Sequence, residues 1–171
     1  MPRRSNAIVG EKDPEFAAAL AGPSTGIVLI DTNVLLAATE PSRAEHVAAT
    51  RVLNDWPQCG VRLCTSGQIL REYLVVATRP AEVNGLALDR VHACENVAAM
   101  LARMRFLEET HTVFARLQTL LAGIDCCGKQ VHDANVVATA LTHDVESIVT
   151  ANVDHFLRFD SFVEVLALDE V

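Results

Sequence analysis

The hydrophobic pattern of the chain changes character at Gly26. Before it, "SNAIVGEKDPEF" and "AGPSTG" are rich in turn formers, and only "EFAAALA" has the makings of a short helix. After it, short apolar runs alternate with longer segments whose apolar residues recur every three or four positions. Ile27–Ile30 predicts a buried strand, and Arg62–Thr65 a second one. Between them, Ser42-Arg43-Ala44-Glu45 reads as a capping box for a helix that runs to about Trp56 and stops at Pro57. Ser66 predicts the cap of a helix through Thr78, closed by Arg79-Pro80. "LDRVHACENVAAMLARM" is a long helical pattern, followed by a short strand near Phe106–Leu107 and a helix from Thr110 or Thr112 to Gly123. The loop "GIDCCGKQ" leads into the helix "VHDANVVATALTH", the strand "SIVT" and a terminal strand "VEVLAL". Strands separated by helices predict βαβ units, a mainly parallel sheet and an α/β sandwich. Residues 1–25 form a weakly structured arm in this reading, and 26–171 one domain.

Three carboxylates break the apolar pattern. Asp31 follows the first strand directly, within "GIVLIDTNVLLAA". It is placed either to cap the next helix or to hold a metal ion, because ligands of open parallel sheets gather beyond the strands' carboxyl ends. Glu72 shares the stripe of Ile69, Tyr73 and Val76. A charge on a buried face is costly unless paired, and either Arg71 or Arg79, or a metal, supplies the partner. Asp133 heads the apolar face of Val136, Val137 and Ala140, where the helix dipole also favours an acid by about 0.3–1 kcal/mol. Should the three meet, two unit charges ~5 Å apart at an effective dielectric of ~20 cost about 3 kcal/mol. A divalent cation offsets that repulsion. Hard oxygen ligands point to Mg²⁺ or Mn²⁺, ions suited to phosphoryl chemistry.

Composition narrows the choices further. Half the residues are hydrophobic and 21% are charged, as in globular proteins. No apolar stretch approaches the roughly 18 residues of a membrane span, and no apolar region follows the basic N-terminus as a secretory signal requires. Five cysteines form no C-x-x-C pair, which fits reduced thiols in the cytoplasm better than a disulfide framework or zinc ribbon. Six histidines include no H-E-x-x-H. The net charge of −8 gives no general attraction for nucleic acid. Any such role needs bound cations or local arginines, for which Arg71, Arg79, Arg103, Arg105 and Arg158 are candidates.

The segments "VLIDTNVLLAA", "TSGQILREYLVVATRP", "GKQVHDANVVATAL" and "SIVTANVDHFLRF" resemble, in order, the acidic motifs of PIN-domain nucleases, and most of all VapC toxins. The resemblance runs from about Gly26 to Leu168. It implies a three-layer α/β/α sandwich and Mg²⁺- or Mn²⁺-dependent hydrolysis of RNA phosphodiesters. It also implies a homodimer silenced by a VapB-like antitoxin. By motif, Asp31, Glu72 and Asp133 become metal ligands and catalytic groups, with Asn33, Ser66 and Thr150 as polar supports. The fourth motif departs from the family's T-x-[DN]-x-x-[DH]-F: Asn152 and His155 fill its variable positions, and the acid, Asp154, falls one place off. Asp154 is therefore a fourth catalytic candidate and Asn152 a support for metal-bound water. His155 is either a proton donor or a histidine at the pocket rim. Residues 1–25, unusual before the family's first strand, are either a genuine addition or the product of a start placed too early. Two rivals stand beside the nuclease. One is a non-catalytic PIN scaffold that binds RNA or a protein. The other is a phosphatase of the haloacid dehalogenase type, which needs an acid where Asn33 stands.

Overall fold

The computed structural model describes residues 26–171; the N-terminal arm lies outside them. Five strands form one sheet in the order β3-β2-β1-β4-β5, and every neighbouring pair is parallel. They are β1 (Gly26–Ile30), β2 (Val61–Ser66), β3 (Arg105–Leu107), β4 (Ser147–Thr150) and β5 (Glu164–Ala167). The mainly parallel sheet of the sequence reading is thus wholly parallel. A central parallel strand is covered on both faces, which is why β1 and β4 are near-continuous apolar runs rather than alternating ones. Val28, Leu29, Ile30, Ile148 and Val149 are fully buried.

Among the described residues, seven α-helices connect the strands: α1 (Thr32–Thr39), α2 (His46–Asn54), α3 (Gly67–Thr78), α4 (Arg90–Leu101), α5 (His111–Gly123), α6 (Gln130–Thr142) and α7 (Val153–Phe156). Helices α1 to α4 pack on one another in sequence neighbourhoods, as do α5 to α7. With right-handed crossovers, this strand order puts the first group on one face and the second on the other. The result is a three-layer α/β/α sandwich. The buried Tyr73 ties three helices of the first layer, its hydroxyl lying 3.1 Å from Thr39 Oγ1 and accepting from Asn96 Nδ2 at 3.0 Å.

One local expectation fails. The Ser42–Glu45 capping box does not form, and the helix starts at His46 without a side-chain cap. The Ser42 hydroxyl and its own N–H both donate to the Glu40 carboxylate, at 2.8 and 3.0 Å. A nearer acceptor has taken the cap, and "EPSR" becomes a turn. The same helix ends at Asn54, and Trp56 and Pro57 fall in a separate 3-10 turn.

Because the chain runs outward from β1 to β3 on one side and from β4 to β5 on the other, the order reverses between β1 and β4. In open parallel sheets this switch point, at the carboxyl ends, is where a crevice opens. Asp31 leaves β1 there and Thr150 ends β4 there, with Asp31 N–H donating to Val149 C=O at 3.1 Å.

Candidate functional site

Asp31 is both a helix cap and a member of the switch-point crevice. Its Oδ1 accepts the Thr32 N–H at 2.7 Å, capping α1. Its Oδ2 accepts the Thr150 hydroxyl and Asn33 Nδ2, each at 2.7 Å. Thr150 Oγ1 also accepts Asn33 Nδ2 at 3.0 Å and the Asn152 N–H at 2.9 Å, while Asn33 Oδ1 accepts the Ala151 N–H at 2.8 Å. The end of β1 is thus stitched to the loop after β4. Three donors occupy most of the roughly four lone-pair positions of a carboxylate, leaving Oδ1 the freer oxygen.

Glu72 projects from the second turn of α3 and is half-buried. Neither suggested arginine pairs with it among the described contacts, since Arg71 instead meets Glu109 at 3.2 Å. Its partners are neutral: Thr32 Oγ1 donates to Oε2 at 3.1 Å and Gln68 Nε2 to Oε1 at 2.8 Å. Thr32, one residue after Asp31, therefore links the first two carboxylates. Asp133, in the first turn of α6, is half-buried and has His155 Nδ1 3.8 Å from its Oδ2. That distance is an electrostatic approach, too long for a hydrogen bond.

The charges of the three carboxylates act on one another. Burial raises the pKa of Asp31 above the usual carboxylate value. Hydrogen bonds from Thr150 and Thr32 pull it down less than burial lifts it, and the charges of Glu72 and Asp133 push it further up. Burial also raises Asp133; His155 and Arg158 oppose this, and Glu72 adds to it. Asp31, Glu72 and Asp133 thus come from three distant segments into mutual repulsive reach.

The remaining candidates separate by location. Ser66 caps α3, its hydroxyl accepting the Ile69 N–H at 3.4 Å, and supports the helix that carries Glu72. Asn152 is exposed and reaches the network through its backbone N–H. Asp154 is exposed in the first turn of α7. His155 is 58% exposed, with its Nδ1 facing Asp133. Of the five arginines, Arg158 is the one whose charge bears on Asp133; its Nη1 donates to the Asp125 carbonyl at 2.9 Å. Arg103 is committed to Leu53 C=O and Asn54 Oδ1. Two further residues meet this cluster without a mark in the sequence, Gln68 on Glu72 and Asn135 on Gln68. No local signal marks either, because their roles depend on which helices meet over the sheet edge.

The donor set is all hard oxygen, with no thiolate, as Mg²⁺ or Mn²⁺ prefers. Among the described residues, no three acidic, histidine or cysteine groups lie close enough together to hold a metal ion between them. A hydrated ion that keeps several waters and takes one or two carboxylates plus a substrate phosphate needs no such cluster. The residues fit an ion of that kind.

An all-parallel sandwich with acids at its switch point defines an α/β protein with an acidic crevice. A family model for the PIN domain matches residues 28–161, most of the chain, and the chain belongs to that family. Solved structures share its fold. VapBC-1 from nontypeable Haemophilus influenzae aligns with a TM-score of 0.59 at 18% identity, over 84% of this chain and 98% of that one. A toxin–antitoxin complex from Klebsiella pneumoniae aligns at 0.58 and 22% identity, over 84% and 99%. VapC20 from Mycobacterium tuberculosis, described as a sarcin-ricin loop cleaving toxin, aligns at 0.55 and 17% identity, over 71% and 86%. The comparison with curated proteins found no match.

Proposed function

We propose that the chain is a metal-dependent endoribonuclease of the VapC type, the toxin of a type II toxin–antitoxin pair acting in the cytoplasm. The observation that carries this reading is the arrival of Asp31, Glu72 and Asp133 at the switch-point edge, where burial raises both aspartates and the charge of Glu72 adds to it. Membership of the PIN family and the shared fold with VapBC structures support it. No helix among the described residues is long and apolar enough to cross a membrane.

Asp31 and Asp133 hold Mg²⁺ or Mn²⁺ in this proposal. When bound, such an ion neutralises phosphate charge and makes water a better nucleophile at neutral pH. Asn33 and Thr150 hold Asp31 in place, and the Thr150 bond favours its ionised form against the burial that raises its pKa. Glu72 meets the same ion from α3, as a direct ligand or through the attacking water whose proton it accepts, with Thr32 and Gln68 fixing both of its oxygens. Arg158, beside Asp133, meets a flanking phosphate, so a chain of net charge −8 still has a cationic foothold for RNA. Asp154 stays outside this working set, exposed on α7. The partners are an RNA substrate, a VapB-like antitoxin and a second copy of the chain.

Asp133→Asn is the cleaner test of the site, because Asp31 is tied into three hydrogen bonds and Asp133 lacks such ties among the described residues. Purified wild type should cleave RNA only with Mg²⁺ or Mn²⁺. Asp133→Asn should lose on the order of 10²-fold or more in rate while melting cooperatively. Undiminished cleavage by the variant would sink the proposal, and RNA binding without turnover by wild type would favour the non-catalytic scaffold.

A further inference from the structure

Gln68 is an unusual residue to bury. It lies in the first turn of α3 and is only 6% exposed. A buried carboxamide is costly unless its donors and acceptor are matched, and here they are. Nε2 donates to Glu72 Oε1 at 2.8 Å and to the His132 carbonyl at 3.0 Å. Oε1 accepts Asn135 Nδ2 at 2.7 Å. The amide orientation is forced by these partners. A flipped group would set its oxygen against a carboxylate and a carbonyl, and its nitrogen against an amide donor. The backbone N–H of Gln68 is held as well, by the Glu109 carboxylate.

The bridge spans the molecule's two helical layers. Helix α3 belongs to the first layer and α6 to the second, and few other residue contacts join them. On α6, Gln68 grips His132 and Asn135, the residues that flank Asp133 in the chain. On α3, it grips the carboxylate of Glu72 itself. With Thr32 on the other Glu72 oxygen, a continuous path runs from Asp31 through Thr32, Glu72 and Gln68 to the backbone that carries Asp133.

We propose that Gln68 is a positioning residue, with Asn135 as its brace, that sets the gap between Glu72 and Asp133 so that one divalent ion serves both sides of the crevice. This rests on the nuclease reading above. Mutual repulsion favours separation of the carboxylates when no cation is bound, and the cross-layer tether resists it directly between α3 and α6. Groups that orient ligands in this way are typically worth about 10–100-fold in metal affinity or activity.

Gln68→Met keeps the length of the side chain and removes its three side-chain hydrogen bonds. Titration with Mn²⁺, followed by electron paramagnetic resonance of the free ion, should show binding weakened about tenfold. RNA cleavage should fall in kcat by a similar factor, with KM within about twofold. Asn135→Ala should give a smaller loss of the same kind, and it replaces Gln68→Met if that variant fails to fold. In a Glu72→Ala background, Gln68→Met should weaken Mn²⁺ binding by less than about twofold, because the carboxylate whose distance from Asp133 it sets is gone. Unchanged Mn²⁺ affinity in folded Gln68→Met, or a full tenfold loss persisting without Glu72, overturns the proposal and leaves a purely structural bridge. Wild type that binds Mn²⁺ but cleaves no RNA overturns the nuclease reading instead, and the binding series still decides the role of Gln68.

Discussion

The Thr150 hydroxyl makes every hydrogen bond open to it, donating once to Asp31 and accepting from Asn33 and the Asn152 N–H. It is also fully buried. Thr150→Val keeps the shape and removes a hydrogen bond from each of three partners, one of them a charged carboxylate. Hydrogen bonds to charged groups contribute about 1.5–3 kcal/mol, so urea unfolding should show a loss of roughly 2 kcal/mol. A change below about 0.5 kcal/mol would mean that Asp31 is held by its other donors alone. The same network explains why Asp31→Asn is a poor probe of chemistry. If the new carbonyl keeps the Thr32 cap, the new amide nitrogen faces Asn33 Nδ2 and the Thr150 hydroxyl, donor against donor. Any lost activity would mix lost charge with a disturbed β1–β4 junction.

Helix α3 shows what a single element contributes to the site. Its first turn holds Gln68, its second Glu72, and its start is fixed by the Ser66 hydroxyl and the Glu109 carboxylate. Since the Ser66 bond is long at 3.4 Å and a second acceptor shares the helix end, Ser66→Ala should cost only about 0.5–1 kcal/mol in urea unfolding. A loss above about 2 kcal/mol would show that Ser66 does more than cap. This cap was legible in the sequence because its partners lie three residues apart. The Ser42–Glu45 box carried the same local signal and failed, since Glu40 offered the serine a nearer acceptor. The alternation of strands and helices, and the three acids that interrupt apolar faces, were legible for the same local reason. Gln68 was not. Its meaning arises from α3 and α6 meeting over the sheet edge, and no spacing along the chain encodes that encounter.

At the scale of the whole molecule, the crevice makes stability depend on pH and on cations together. The native pKa values of Asp31 and Asp133 are both raised above the ordinary 3.8. Between that value and the raised ones, the folded protein therefore holds more protons than the unfolded chain. Stability from these groups then falls as pH rises through the window, and above it the full penalty of two desolvated, mutually repelled carboxylates is present. The pair cannot relax by moving apart, because the β1–β4 stitching and the Gln68 bridge fix their backbones. Asp133→Asn removes one of the penalised charges. Without divalent cations it should melt above wild type at pH 7, and that advantage should shrink as the pH is lowered toward 4 in a calorimetric series. Mg²⁺ should reverse the order. At roughly ten times its Kd it adds about 1.4 kcal/mol to a protein that binds it only when folded, and the variant should gain less. A wild type already more stable than Asp133→Asn at pH 7 in chelator would mean that His155 and Arg158 compensate Asp133 without a metal, and the crevice would then be a structural ion cluster rather than a cation site.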